Sequence, residues 1–155
     1  MKWDAAGTYA YVLNELDLSI SVFKAVDEGQ MEFIETVSVL PKDADKNRLS
    51  CAEIRIHPSG KFIYASIRDL AKQGRDSISI FTRFEDHFQR LETTSAEVQI
   101  PRNFNLDPSG KWLLACGQNS NDIAIFSVDK KTGLIHFTGE KVSFEGRPIC
   151  IEFLD

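Results

Sequence analysis

Glu53, Arg102 with Asn103, Arg68, Asn14 with Glu15, and Gln118 are the side chains in this sequence best suited to act together on a substrate. A glutamate can take a proton from water, and an arginine can steady the negative charge that then develops on a carbonyl oxygen. Arginine forks also grip phosphate. Glu53 is the candidate base, and Arg102 is the candidate partner of an oxyanion or a phosphate. Arg68, Asn14, Glu15, Asn103 and Gln118 are candidate substrate contacts. A structural ion pair is the competing role for Glu53 and Arg102, because such pairs also gather around channels. Capping of the following turn competes for Asn14 and Glu15.

Other reactive side chains point elsewhere. Arg68, Lys72 and Arg75 could hold a phosphate together, but Asp69 and Asp76 stand among them. A solvated charged loop is the reading for Lys72 and Arg75. His57 precedes Pro58-Ser59-Gly60 and reads as a turn former, while His87 and His136 read as surface residues. Cys51, Cys116 and Cys150 are an odd number set in apolar runs, which suits reduced thiols better than a disulfide framework. Cys116 and Cys150 read as small core residues, since no histidine is placed to activate them. No cysteines or histidines stand at ligand spacing, so no metal and no other cofactor is expected.

The elements that must position these residues announce themselves as a repeat. Ile54 to Ala65, containing His57-Pro58-Ser59-Gly60, returns as Phe104 to Ala115, containing Asp107-Pro108-Ser109-Gly110. A worn copy runs from Met1 to Val12. The period is about 50 residues. Each copy is followed by an alternating segment: Ser19 to Phe23, Ser77 to Phe81 and Asp122 to Phe126. Alternation at period two marks a strand with one buried face. A fourth strand closes each unit near 31–39, 87–98 and 134–144, and no helix is expected. Four short antiparallel strands per repeat predict an all-β chain of about three β-propeller blades, near 1–42, 50–98 and 101–145. A two-sheet sandwich would not need near-identical turns at fixed intervals. Trp3 and Trp112 are expected to pack between blades.

In a blade, the innermost strand begins on the face where the second strand ends. Glu53, Arg102, Asn103 and Arg147 therefore share a face with Asn14, Glu15, Arg68 and Gln118, and the loops 42–50 and 69–76 open onto it. Residues 148–154 read as a fresh inner strand without a blade of its own, completing a blade in the same or a partner chain. Three blades leave two apolar flanks, so the expectation is a homodimer or a longer protein whose N-terminal half closes the ring.

Composition sets limits. The 155 residues are 43% apolar and 26% charged, ordinary for a single globular domain. A net charge of −5 argues against a nucleic-acid partner. No apolar run reaches membrane-spanning length, and the N-terminal residues lack the apolar stretch of a secretory signal, so a cytoplasmic address and no membrane contact are expected.

The chain resembles the C-terminal part of seven-bladed propellers of the lactonase family. The resemblance is carried by Tyr9 to Leu16, Ala52-Glu53-Ile54-Arg55-Ile56-His57-Pro58-Ser59-Gly60-Lys61, Pro101-Arg102-Asn103-Phe104, and the terminal Pro148 to Leu154. It covers essentially the whole chain but only about half the family's usual length. It implies hydrolysis of a sugar-acid lactone such as 6-phosphogluconolactone, with the family's glutamate and arginine falling on Glu53 and Arg102. A non-catalytic assembly or ligand-binding module, or a carboxymuconate cycloisomerase, are the other functions such a propeller could carry. The family's asparagine after the second strand survives only at Asn14, with Ile67 and Gly117 in its place. A histidine and an arginine of the family's site would lie in the N-terminal half.

Overall fold

The computed structural model describes residues 1–84 and 87–154, with Glu28 described by its backbone only. Among the described residues, twelve strands form three four-stranded sheets, each an antiparallel meander in sequence order. Blade one contains β1 (Lys2–Trp3), β2 (Tyr9–Asn14), β3 (Ser19–Ala25) and β4 (Met31–Ser38). Blade two contains β5 (Leu49–Ile56), β6 (Phe62–Asp69), β7 (Ser77–Arg83) and β8 (Phe88–Ser95). Blade three contains β9 (Pro101–Leu106), β10 (Trp112–Gly117), β11 (Asp122–Val128) and β12 (Ile135–Ser143). The described helix is one 3-10 turn at Asp27–Gly29, so the all-β expectation holds. No helix among the described residues is long and apolar enough to cross a membrane.

The cores lie between blades rather than within them. Tyr11, Ile20, Val22 and Val39 of blade one meet Cys51, Ile63, Ala65 and Phe81 of blade two. Tyr64, Ile78 and Ile80, from the other face of blade two, meet Phe104, Leu113, Ala115 and Phe126 of blade three. Alternate residues of β6 and β7 thus serve opposite neighbours, and both strands are buried almost throughout. β4 and β12, on outer blades, are mostly exposed.

The tryptophans correct one expectation. Trp112 occupies the repeat position of Phe62, whose ring packs against Gly133 in the turn of blade three. Phe62 is 5% exposed and Trp112 is 44% exposed. The difference follows from position, because blade three has no described neighbour on that flank. Trp3 is exposed for the same reason on blade one.

Each β-hairpin between inner and second strands closes on a glycine with positive φ: Gly7, Gly60 and Gly110. Asp107 organises its turn by accepting from the backbone N–H groups of Ser109, Lys111 and Trp112. Burial pulls its pKa up, yet hydrogen bonds from Ser109, Trp112 and Lys111 outweigh that and hold it below the ordinary value. His57 is the turn former expected, and it also joins two blades. Its Nδ1 faces the backbone N–H of Ser59 at 3.0 Å, so that nitrogen must accept. In the neutral ring the proton then sits on Nε2, which donates to Gly110 O of blade three at 3.0 Å.

Two alanine substitutions separate backbone strain from this joint. Gly60 and Gly110 have φ of +73° and +65°, but an added Cβ meets nothing at Gly60 and falls 2.5 Å from His57 Nε2 at Gly110. Gly60→Ala should cost the left-handed penalty of about 1–2 kcal/mol. Gly110→Ala should cost roughly 1–3 kcal/mol more through overpacking and displacement of the imidazole. Urea denaturation midpoints measure both, and equal losses would remove the His57 joint from the account.

Candidate active-site face

Bulges in two inner strands aim the two leading candidates, one near the start of β9 and one midway along β5, where a strand start was expected. In β5, Cys51 pairs with Ile67 and Ile54 with Ala65, so Ala52 and Glu53 together oppose the single residue Ser66. In β9, Pro101 pairs with Gly117 and Asn103 with Cys116, leaving Arg102 as the extra residue. A bulge bends its strand and redirects a side chain that regular pleating would have committed to one face. Ser66 Oγ takes up the Glu53 N–H at 3.0 Å.

The structure brings Glu53 and Asn103 together. The Glu53 side chain is 18% exposed, and its Oε1 accepts from the Ile54 N–H at 3.0 Å and lies 3.6 Å from Arg55 Nε. Its Oε2 accepts from Asn103 Nδ2 at 2.6 Å. Asn103 is buried, and its Oδ1 accepts from the Ile151 N–H at 3.0 Å. Arg102 is exposed, and its guanidinium has no hydrogen bond or ion pair among the described residues. The ion pair that Glu53 makes is with Arg55, not with Arg102.

The remaining candidates have structural partners to different degrees. Arg68 Nη2 donates to Glu15 Oε1 at 2.5 Å and to Cys51 O at 2.9 Å, while Cys51 N–H donates to Glu15 O at 2.8 Å. These bonds tie blade one to blade two, and they leave Arg68 Nε buried without a partner. Asn14 Nδ2 donates to Ser19 Oγ and Ser21 Oγ, both at 2.9 Å, bracing β2 against β3. Gln118 is half-buried, its backbone N–H bonded to Ile100 O at 3.1 Å, and its amide has no hydrogen bond among the described residues. Arg147 is exposed.

The charged loop after β6 is ordered rather than merely solvated. Asp69 is fully buried and accepts from the N–H groups of Ala71, Gln73 and Arg75. Arg75 clamps it with its side chain and reaches Asp45 Oδ2 and Asn47 O, each at 2.9 Å, in the loop before β5. Burial works to raise the Asp69 pKa, but Arg75 and the three backbone donors prevail and hold it to about 2. Asp76 Oδ1 accepts from the N–H groups of Asp69 and Ile100, joining blades two and three. Burial raises its pKa. Burial likewise pushes the Cys51 thiol up to about 12 and Cys116 to about 11, which makes both poor nucleophiles. Cys150 is exposed, against the expectation of a core residue, because no described blade covers that side of it.

One polar layer lies outside the candidate set. Lys2, Arg55, Asn105 and Glu152 occupy one position on successive inner segments and line a cleft of about 330 Å³. Glu152 accepts from Arg55 Nη2 and from Asn105 Nδ2, both at 3.0 Å, and Arg55 holds its pKa below the usual carboxylate range. Reading the repeat as a column would have found these residues, since Arg55 and Asn105 each stand two places after Glu53 and Asn103. Residues 148–154 are in no strand, and hydrogen bonds to Asn103, Asn105 and Arg55 hold them against the inner strands.

The family described as Lactonase, 7-bladed beta-propeller, matches residues 1–153. A 6-phosphogluconolactonase of Klebsiella pneumoniae is 34% identical over 140 residues, covering 89% of this chain and 40% of that protein. A 6-phosphogluconolactonase of Enterobacter sp. is 36% identical over 146 residues, covering 89% of this chain and 40% of that protein. The chain thus spans about two fifths of the length of these relatives. A periplasmic gluconolactonase of Pseudomonas aeruginosa superimposes with a TM-score of 0.89 at 22% identity, over 99% of this chain and 41% of that one. That likeness is one of architecture.

The Asp69 clamp predicts an acid-sensitive loop. A folded pKa of about 2, against an ordinary 3.8, means that ionised Asp69 contributes stability that is present near neutral pH and lost as pH falls from about 4 toward 2. Asp76, with its pKa raised, contributes with the opposite sign. Asp69→Asn should therefore lower stability at pH 7 and flatten the wild-type decline between pH 4 and 2. Urea midpoints across that range check it, and parallel curves would refute the assignment.

Proposed function

The chain belongs to the lactonase family of seven-bladed β-propellers, and from that premise we propose that it contributes the catalytic wall of an enzyme hydrolysing a sugar-acid lactone such as 6-phosphogluconolactone. The observation that carries this reading is the Glu53 carboxylate, fixed by three partners at a bulge in an inner strand yet still reached by solvent. Glu53 takes a proton from a water molecule as that water attacks the lactone carbonyl. Arg102 steadies the resulting oxyanion, or the phosphate of the substrate, in keeping with its unpaired guanidinium. The ring C–O bond then breaks, and the proton held by Glu53 passes to the departing alkoxide oxygen. Gln118 supplies a neutral contact, and Arg68 with Glu15 and Asn14 shape the wall beside it. The reading includes a role in carbohydrate metabolism, in keeping with the 6-phosphogluconolactonase relatives, and a cytoplasmic location.

The family is seven-bladed, and three blades are described here. The reading therefore includes further blades, in the same polypeptide or in a second copy of this chain, that cover the two outer flanks and exclude water from the site. Exclusion matters because charges facing open water lose most of their catalytic strength.

Glu53→Gln keeps the size but cannot take the proton, and its amide can accept from only one of the Ile54 and Asn103 donors. Turnover of 6-phosphogluconolactone, followed by acid release, should fall roughly 10²–10⁴-fold. Arg102→Ala should cost about 10²–10³-fold. Unchanged turnover in Glu53→Gln removes the base, and inertness of the unmodified protein toward a panel of lactones favours the non-catalytic module.

A further inference from the structure

Glu53 and Asn103 stand at the same place in successive repeats, and the geometry gives them unequal tasks. An asparagine amide can be turned either way round, but this one is fixed by its neighbours. The Ile151 backbone N–H can only donate, so the atom facing it at 3.0 Å must be Oδ1. Nδ2 then faces Glu53 Oε2 at 2.6 Å, where an ionised carboxylate can only accept. Both bonds are satisfied by one orientation and broken by the other. Asn103 is 6% exposed, which leaves little of it for a substrate to touch. The Ile151 segment is in turn anchored by Asn105, which donates to Ile151 O at 3.1 Å and to Glu152 Oε2 at 3.0 Å.

We infer that Asn103 is a positioning residue, which holds the Glu53 carboxylate in one rotamer and is itself held by residues 151–152. The inference rests on Glu53 being the base. The backbone N–H of Ile54 and the Asn103 amide grip opposite oxygens of the carboxylate. Arg55 lies beside Oε1 on the same strand, Ser66 faces the backbone from β6, and the Glu152 carboxylate balances Arg55 from the terminal segment. Without the amide, the carboxylate keeps its charge partner but loses the contact that orients it across the blade boundary.

Kinetics on the intact protein with 6-phosphogluconolactone separates positioning from mere support of the fold. Asn103→Ala should lower kcat about 10–100-fold with KM within about twofold, as misplacement of a reacting group does. Asn103→Asp places a second carboxylate against Glu53, so one of the pair should hold its proton to higher pH. The acid limb of the kcat profile should then move up by about 1 pH unit or more. A supporting role alone would lower the unfolding midpoint and leave that limb in place. Should both variants fail to fold, Asn105→Ala, whose side chain bonds to its own Leu106 N–H and to the terminal segment but not to Glu53, should reduce kcat several-fold at unchanged KM. Full kcat in Asn103→Ala or in Asn105→Ala, alongside loss in Glu53→Gln, overturns the positioning relay. Full turnover in Glu53→Gln overturns the base itself, and the relay with it.

Discussion

A blade is one sheet thick, so it has no interior of its own and can bury a face only against another blade. Blade two shows the condition met. Ile63, Ala65 and Phe81 are covered from one side and Tyr64, Ile78 and Ile80 from the other. Removing the isoleucine and phenylalanine side chains among them from water contributes roughly 1.5–3 kcal/mol apiece. The sheet hydrogen bonds hold each blade flat, but the apolar contacts decide how blades stack. The candidate site depends on that stacking, because its residues come from separate blades.

Polar joints then fix the stack in register. His57 to Gly110, Tyr64 to Gly133 and Asp76 to Ile100 join blades two and three. Ser79 to Val39, Glu35 to Phe88 and Arg68 to Cys51 and Glu15 join or flank the boundary of blades one and two. Most of these use a side chain of one repeat against a backbone group of the next. A backbone partner is indifferent to sequence drift in its own side chain, so such joints persist while the repeats diverge. Two apolar slabs could slide, and directional bonds of this kind forbid it.

The fold was legible because its punctuation is chemical. His57-Pro58-Ser59-Gly60 and Asp107-Pro108-Ser109-Gly110 need glycine at a left-handed position, and the strands between them alternate at period two. The expectation that Glu53, Arg102 and Gln118 share a face rests on topology alone. What was not legible depended on which neighbour stands next to a residue. Phe62 and Trp112 read alike in sequence and differ in burial because their blades differ in company. Asn103 read as a candidate substrate contact, and only the approach of Ile151 and Glu53 shows that both ends of its amide are engaged. Arg75 read as solvated, although it holds Asp69, Asp45 and Asn47, because a long side chain spanning two loops leaves no periodic trace.

The contact between Glu53 and Asn103 also sets a limit on regularity. Both residues have the same address in the repeat, and their side chains meet at 2.6 Å across the blade boundary. A consensus array, with one sequence copied into every blade, would place glutamate against glutamate or asparagine against asparagine at that address. The first would press two carboxylates together and favour a shared proton, and the second would leave no carboxylate there. Idealising the repeats for stability would thus erase this unequal pair, and divergence between the copies is a condition of having it.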